Sequence, residues 1–110
     1  MEKLRKYKIA VVQITSGNDL KVNLEKIEKF IREAAENEAK LIAFPEVMNI
    51  ISNETPPYSE AEDGVTSQLV SNLAKELGVY IHGGSWSESI PNSDKHYNTS
   101  YLFDDRGKII

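Results

Sequence analysis

The sequence predicts an α/β fold, a mainly parallel sheet that gains antiparallel strands at its end. Three observations predict it. Short runs rich in Ile, Val, Leu and Phe occur at residues 8–14, 41–44 and 79–82 and read as strands. Between them lie two stretches whose apolar residues recur at spacings of three and four, the period of an amphipathic helix. Strands joined by helices imply parallel pairing through right-handed crossovers, and 110 residues suit one such domain without a linker or internal repeat.

The elements follow in order. Residues 8–14 (KIAVVQI) are almost continuously apolar, as a strand covered on both faces would be. Thr15 to Asp19 supply turn-forming residues. Leu20, Leu24, Ile27, Ile31 and Ala34 then mark one stripe of a helix that fades near Asn37. Its outer face carries Glu25 ahead of Lys29 and Glu28 ahead of Arg32, the favourable order for pairs four apart. The second strand, 41–44, is ended by Pro45, which has no amide hydrogen for a ladder. A long connection over 47–64 precedes a second helix, expected to start at a Thr66 cap, with Leu69, Val70, Leu73, Ala74 and Leu77 inward. Gly78 is placed to close it. A third strand at 79–82 ends in Gly83-Gly84, residues 97–103 read as a fourth, and 108–110 begin a fifth after the turn at Asp104 to Gly107.

Composition limits the functions available. Apolar residues make up 40% and charged residues 27%, as in an ordinary globular domain. Seventeen acidic against thirteen basic side chains give a net charge of -4, which argues against nucleic acid as a partner. The basic cluster Lys3, Arg5, Lys6 and Lys8 reads as a solvated lead-in to the first strand. There is no cysteine, so disulfides, zinc–thiolate sites and thiol nucleophiles are excluded within these residues. His82 and His96 lack metal-ligand spacing, and neither a metal nor a cofactor is expected. No signal-like or membrane-spanning run is present, so a cytoplasmic location is expected and no membrane partner. The sequons at Asn53-Glu54-Thr55 and Asn98-Thr99-Ser100 then read as chance matches.

Glu46 is the leading candidate for chemistry. It follows Phe44-Pro45 at the carboxyl end of a buried strand, where open α/β sheets place ligand sites. A partly desolvated carboxylate there is suited to general-base work, although an acid opening a loop needs no function. His82-Gly83-Gly84 echoes an oxyanion motif, but the Gly-x-Ser-x-Gly elbow that should accompany it is absent, so the glycines read as backbone hinges at a strand end. Gly83-Gly84 is not a phosphate loop either, because no Gly-Lys-Thr helix start follows. Trp86 and Tyr80 read as core aromatics rather than pocket walls.

Taken together, these segments resemble the N-terminal portion of the nitrilase superfamily of carbon–nitrogen hydrolases. The match runs through residues 8–14, Asn23, Ala39 to Glu46 including Phe44-Pro45-Glu46, Gly83-Gly84-Ser85 through Glu88, and Tyr97-Asn98-Thr99-Ser100 with Gly107. The resemblance implies an αββα sandwich, of which this chain would supply a mixed sheet with two helices on one face, and assembly as a homo-oligomer. It also implies a Glu–Lys–Cys set in which Glu46 is the general base. The thiolate would attack a small amide, nitrile or carbamoyl compound, ammonia or an amine would leave, and water would release the acid. Lys108 comes too early for the lysine of the set and reads as a strand-surface residue, and no cysteine is present.

The whole of 1–110 is therefore expected to be a partial carbon–nitrogen hydrolase domain, truncated before the catalytic Lys and Cys and inactive by itself. Its ending inside an apolar strand supports that expectation. The alternatives are a stand-alone, non-catalytic α/β binding or interaction module and an unrelated flavodoxin-like half domain. Substrate-contacting residues are unknown from the sequence; Met48, Asn49 and Tyr58 are the candidates to contribute to a pocket. Both faces of the strands are apolar, whereas two helices cover one, so self-association through the uncovered face is expected.

Overall fold

The computed structural model describes residues 5–54 and 56–110. Lys3 of the basic cluster and Thr55 of the first sequon lie outside the described residues. The chain forms strand β1 (Lys8–Val11), helix α1 (Leu20–Glu36), strand β2 (Ala39–Ala43) and helix α2 (Val65–Leu77). Four short strands follow: β3 (Tyr80–His82), β4 (Trp86–Ser89), β5 (His96–Thr99) and β6 (Leu102–Phe103).

The main sheet has the order β1-β2-β3-β6, with β1, β2 and β3 parallel and β6 antiparallel to β3. Its register sorts the side chains between two faces. Ala10, Ile42, Ile81 and Phe103 lie in one row across the four strands. The last three are wholly buried and pack with Ile27 and Ile31 of α1 and Val70, Leu73 and Ala74 of α2. Both helices thus cover one face, as the apolar stripes predict. The opposite row holds Ile9 and Val11, Leu41 and Ala43, and Tyr80. There Val11 is 84% exposed and Ile9 59%. Alternation along β1 has put one apolar set into the core and left the other in water.

Local chemistry explains the helix ends. Asp19 Oδ1 accepts from the Val22 amide 3.2 Å away and caps α1. Gly78, at φ 65°, closes α2 in the left-handed conformation expected of it. Of the two predicted pairs on α1, Glu28–Arg32 forms at 2.9 Å, and Arg32 continues to Glu76 of α2, tying the helices together on the outside. The Arg32 guanidinium holds the Glu76 carboxyl below its usual range.

Three expectations need correction. Helix α2 begins at Val65 with Gly64 as its N-cap, so Thr66 is inside the helix rather than its cap. Residues 97–103 are not one strand: Ser100-Tyr101 interrupt it, leaving β5 paired with β4 and β6 paired with β3. Tyr101 causes the switch, because its carbonyl accepts from the Gly83 amide while its ring packs against Trp86 and Phe103. Strand β4, which is mostly Ser and Glu, carries too little apolar pattern to be read as a strand. Residues 108–110 form no strand but bridge back to β6, with the Ile110 amide donating to the Leu102 carbonyl at 2.9 Å.

Candidate active site

Glu46 stands where the ladder of β2 runs out. The Phe44 amide still donates to the His82 carbonyl at 3.0 Å. Pro45 then ends donation, and Glu46 and Val47 turn away from the sheet. The Glu46 side chain is exposed, and among the described residues its carboxylate has no hydrogen-bond or ion-pair partner. It is therefore unoccupied by any structural duty at the carboxyl end of a central strand.

The turn beneath it is held tightly. Val47 has φ 50°, a left-handed conformation that is an outlier for a β-branched residue; it costs about 1–3 kcal/mol and persists only where the surroundings enforce it. They do. The Val47 amide donates to Ser85 Oγ at 3.0 Å, and the Met48 amide donates to the Ser85 carbonyl at 3.1 Å. Ser16 Oγ donates to the Met48 carbonyl at 2.9 Å. Met48 and Asn49 are buried, anchoring the far side of the turn.

Gly84 makes this approach possible. It has φ 69°, and a Cβ there would lie 1.9 Å from the Pro45 carbonyl oxygen. Only a residue without a side chain lets the end of β3 pass so close to the Glu46 turn. The glycine amides are not open donors for an oxyanion: Gly83 N–H donates to the Tyr101 carbonyl, and Gly84 N–H donates to His82 Nδ1 at 3.2 Å. With Nδ1 accepting, the His82 proton belongs on Nε2, which donates to Ser100 Oγ at 3.1 Å. The segments 44–46 and 83–85, distant in sequence, thus meet at one end of the sheet, and Ser100 joins them through His82.

The other candidates separate from this site. Asn49 uses its side-chain amide on Glu60 and Thr66, and the Tyr58 hydroxyl donates to Glu60 at 2.9 Å. Burial and that carboxylate raise the Tyr58 phenol above its usual range. Asn49 and Tyr58 therefore turn towards Glu60, while Met48 is buried in the apolar core. Lys108 lines a groove of about 780 Å³ with Glu62, Asp63, Ser67 and Gln68, and Glu46 does not border it. Trp86 is buried in the core as expected, whereas Tyr80 is 40% exposed on the uncovered sheet face, contrary to its reading as core. His82 and His96 form no metal cluster among the described residues.

Sequence reasoning missed Glu60. It is 5% exposed and accepts from Asn49 Nδ2 at 3.2 Å, the Tyr58 hydroxyl at 2.9 Å, Thr66 Oγ1 at 2.6 Å and the Thr66 amide at 2.8 Å. One acid in a loop rich in Glu and Asp gives no pattern to read.

Comparison with known proteins bears on the family of the chain. The family model described as "Carbon-nitrogen hydrolase" matches residues 8–110. Nitrilase homolog 2 of Dictyostelium discoideum is 36% identical over 111 residues, covering 99% of this chain and 34% of that protein. Omega-amidase NIT2-B of Xenopus laevis is 35% identical, covering 97% of this chain and 39% of that protein. Among solved structures, Saccharomyces cerevisiae Nit3, a member of branch 10 of the nitrilase superfamily, superposes with a TM-score of 0.82 at 34% identity. That match covers 94% of this chain and 42% of the yeast chain. The chain spans well under half the length of the relatives it matches.

Proposed function

The chain belongs to the carbon–nitrogen hydrolase family, and from that premise we propose that it is the N-terminal portion of an enzyme that cleaves non-peptide C–N bonds of a small amide, with Glu46 as general base. The carrying observation is the Glu46 turn: an exposed, unpartnered carboxylate held on a strained, clamped backbone at the end of β2. A free carboxylate on a fixed backbone is what proton abstraction from a positioned thiol requires. An amide substrate is favoured over a nitrile because curated relatives bear the name omega-amidase.

These residues contain one member of the Glu–Lys–Cys set that the family resemblance implies and no thiol at all. A base without its nucleophile loses the first step of the covalent route. The 110 residues by themselves are accordingly inactive in this reading. The exposed row of Ile9, Val11 and Tyr80 supports association of the isolated chain through that sheet face.

Ammonia release from a panel of small primary amides tests the reading. The purified chain releases none above background from acid to alkaline pH. Release that disappears in Glu46→Ala would overturn it, since the chemistry would then need no cysteine.

A further inference from the structure

We propose that Glu60 is a positioning residue for Glu46, a buried carboxylate that fixes the turn on which the base is carried; this rests on the reading of Glu46 given above. Glu60 sits where three elements meet. Its backbone is built onto β4: the Glu60 amide donates to the Ser87 carbonyl at 3.0 Å, and the Ser89 amide donates to the Glu60 carbonyl at 2.7 Å. Strand β4 directly continues Gly84-Ser85, the pair that holds the Glu46 turn. The side chain reaches the other two elements. Oε1 takes the Thr66 amide in the first turn of α2, standing in for the missing cap, while Oε2 takes Asn49 Nδ2.

Asn49 carries the constraint onward. Its carbonyl accepts from Asn23 Nδ2 at 2.9 Å, and Asn23 also closes both polar groups of Gly17. Asn49 is adjacent to Met48, whose amide and carbonyl are the bonds to Ser85 and Ser16. Glu60 therefore holds Asn49 while Ser85 holds Val47 and Met48, and Val47 stays at positive φ in the turn so fixed. Four bonds are more than a helix cap requires: a carboxylate serving α2 alone would need the Thr66 amide only. The donors from Asn49 and Tyr58 are explained by a role in closing the loop of 47–59 onto the sheet. Gly64 completes the fit, since a Cβ there would lie 2.7 Å from the Glu60 side chain.

The test is hydrogen exchange measured by NMR on this 110-residue chain and its Glu60→Gln variant. Glutamine keeps the shape but removes the charge and presents a donor to groups that are themselves donors. The expected result is a rise in exchange at the Val47 and Met48 amides of roughly ten- to hundredfold, the loss expected for hydrogen bonds to a charged group. Exchange at Ile42 and Ile81 in the sheet changes much less. A uniform rise at all four amides would overturn the proposal in favour of plain stability, and a rise confined to Thr66 and Ser67 would overturn it in favour of capping alone. Should Glu60→Gln fail to fold, Tyr58→Phe removes one donor, leaves the carboxylate in place, and gives the same pattern at smaller size or refutes it. None of these readings depends on whether Glu46 takes a proton, so a failure of the positioning role is distinguishable from a failure of the base assignment.

Discussion

Two glycines with nearly the same φ offer a controlled test of how the Glu46 turn is built. Gly78 has φ 65° and open space where a Cβ would go; Gly84 has φ 69° and the Pro45 carbonyl oxygen 1.9 Å from that position. Replacing either by alanine incurs the left-handed penalty of about 1–2 kcal/mol. Either substitution also lowers unfolded-state entropy by a similar small amount, so that contribution cancels between them. Only Gly84→Ala adds a collision, and with backbone rather than a flexible side chain. Relief requires β3 and the Glu46 turn to separate by more than an ångström, at an overpacking cost of about 1–3 kcal/mol. The expected loss is roughly 2–5 kcal/mol for Gly84→Ala against about 1–2 kcal/mol for Gly78→Ala. Against a native stability of about 5–15 kcal/mol, urea denaturation followed by far-ultraviolet circular dichroism resolves that difference. Hydrogen exchange at Val47 and Met48 should rise in Gly84→Ala only. Equal losses for the two variants would refute the close approach of Gly84 to Pro45.

Two further outcomes follow from the same structure. Glu46→Gln should change unfolding free energy by less than about 1 kcal/mol, the range for exposed positions without special contacts; a loss of several kcal/mol in chemical denaturation would make Glu46 a structural acid. Light scattering should show the isolated chain growing beyond a monomer as concentration rises, with binding of an apolar dye, because Ile9, Val11 and Tyr80 form an uncovered sheet face. A monomer at high concentration that unfolds cooperatively and binds no dye would favour a self-sufficient module.

The parallel core was legible because its signals are long and periodic. Ile27 and Ile31 fall on one helical stripe, and Ala10, Ile42 and Ile81 alternate with residues on the opposite face. The later strands were not, because pairing there is decided by contacts distant in sequence. Nothing local says that Tyr101 will bond to Gly83 and split one apparent strand between two sheets. The site divides in the same way. Glu46 could be placed from Pro45 and the end of a buried run, and Gly83-Gly84-Ser85 stood out as a motif. What those glycines do became visible only in the folded chain, where Gly84 meets Pro45 and Ser85 holds Val47. Glu60 carried no pattern, since its importance comes from burial beside Asn49, Tyr58 and Thr66.

The role of Glu46 is tested most directly where the rest of the reaction machinery is supplied. Residues 8–110 can replace the matching segment of the yeast relative, with which they share 34% identity and a TM-score of 0.82. The measurement is the turnover of that hybrid on the relative's amide substrate, with and without Glu46→Gln. The hybrid should be folded and active, and its kcat should fall by roughly 10²–10⁴-fold on the substitution, the usual contribution of a general base, while its melting temperature is unchanged. An active hybrid that keeps its full kcat with Gln at position 46 would contradict that role.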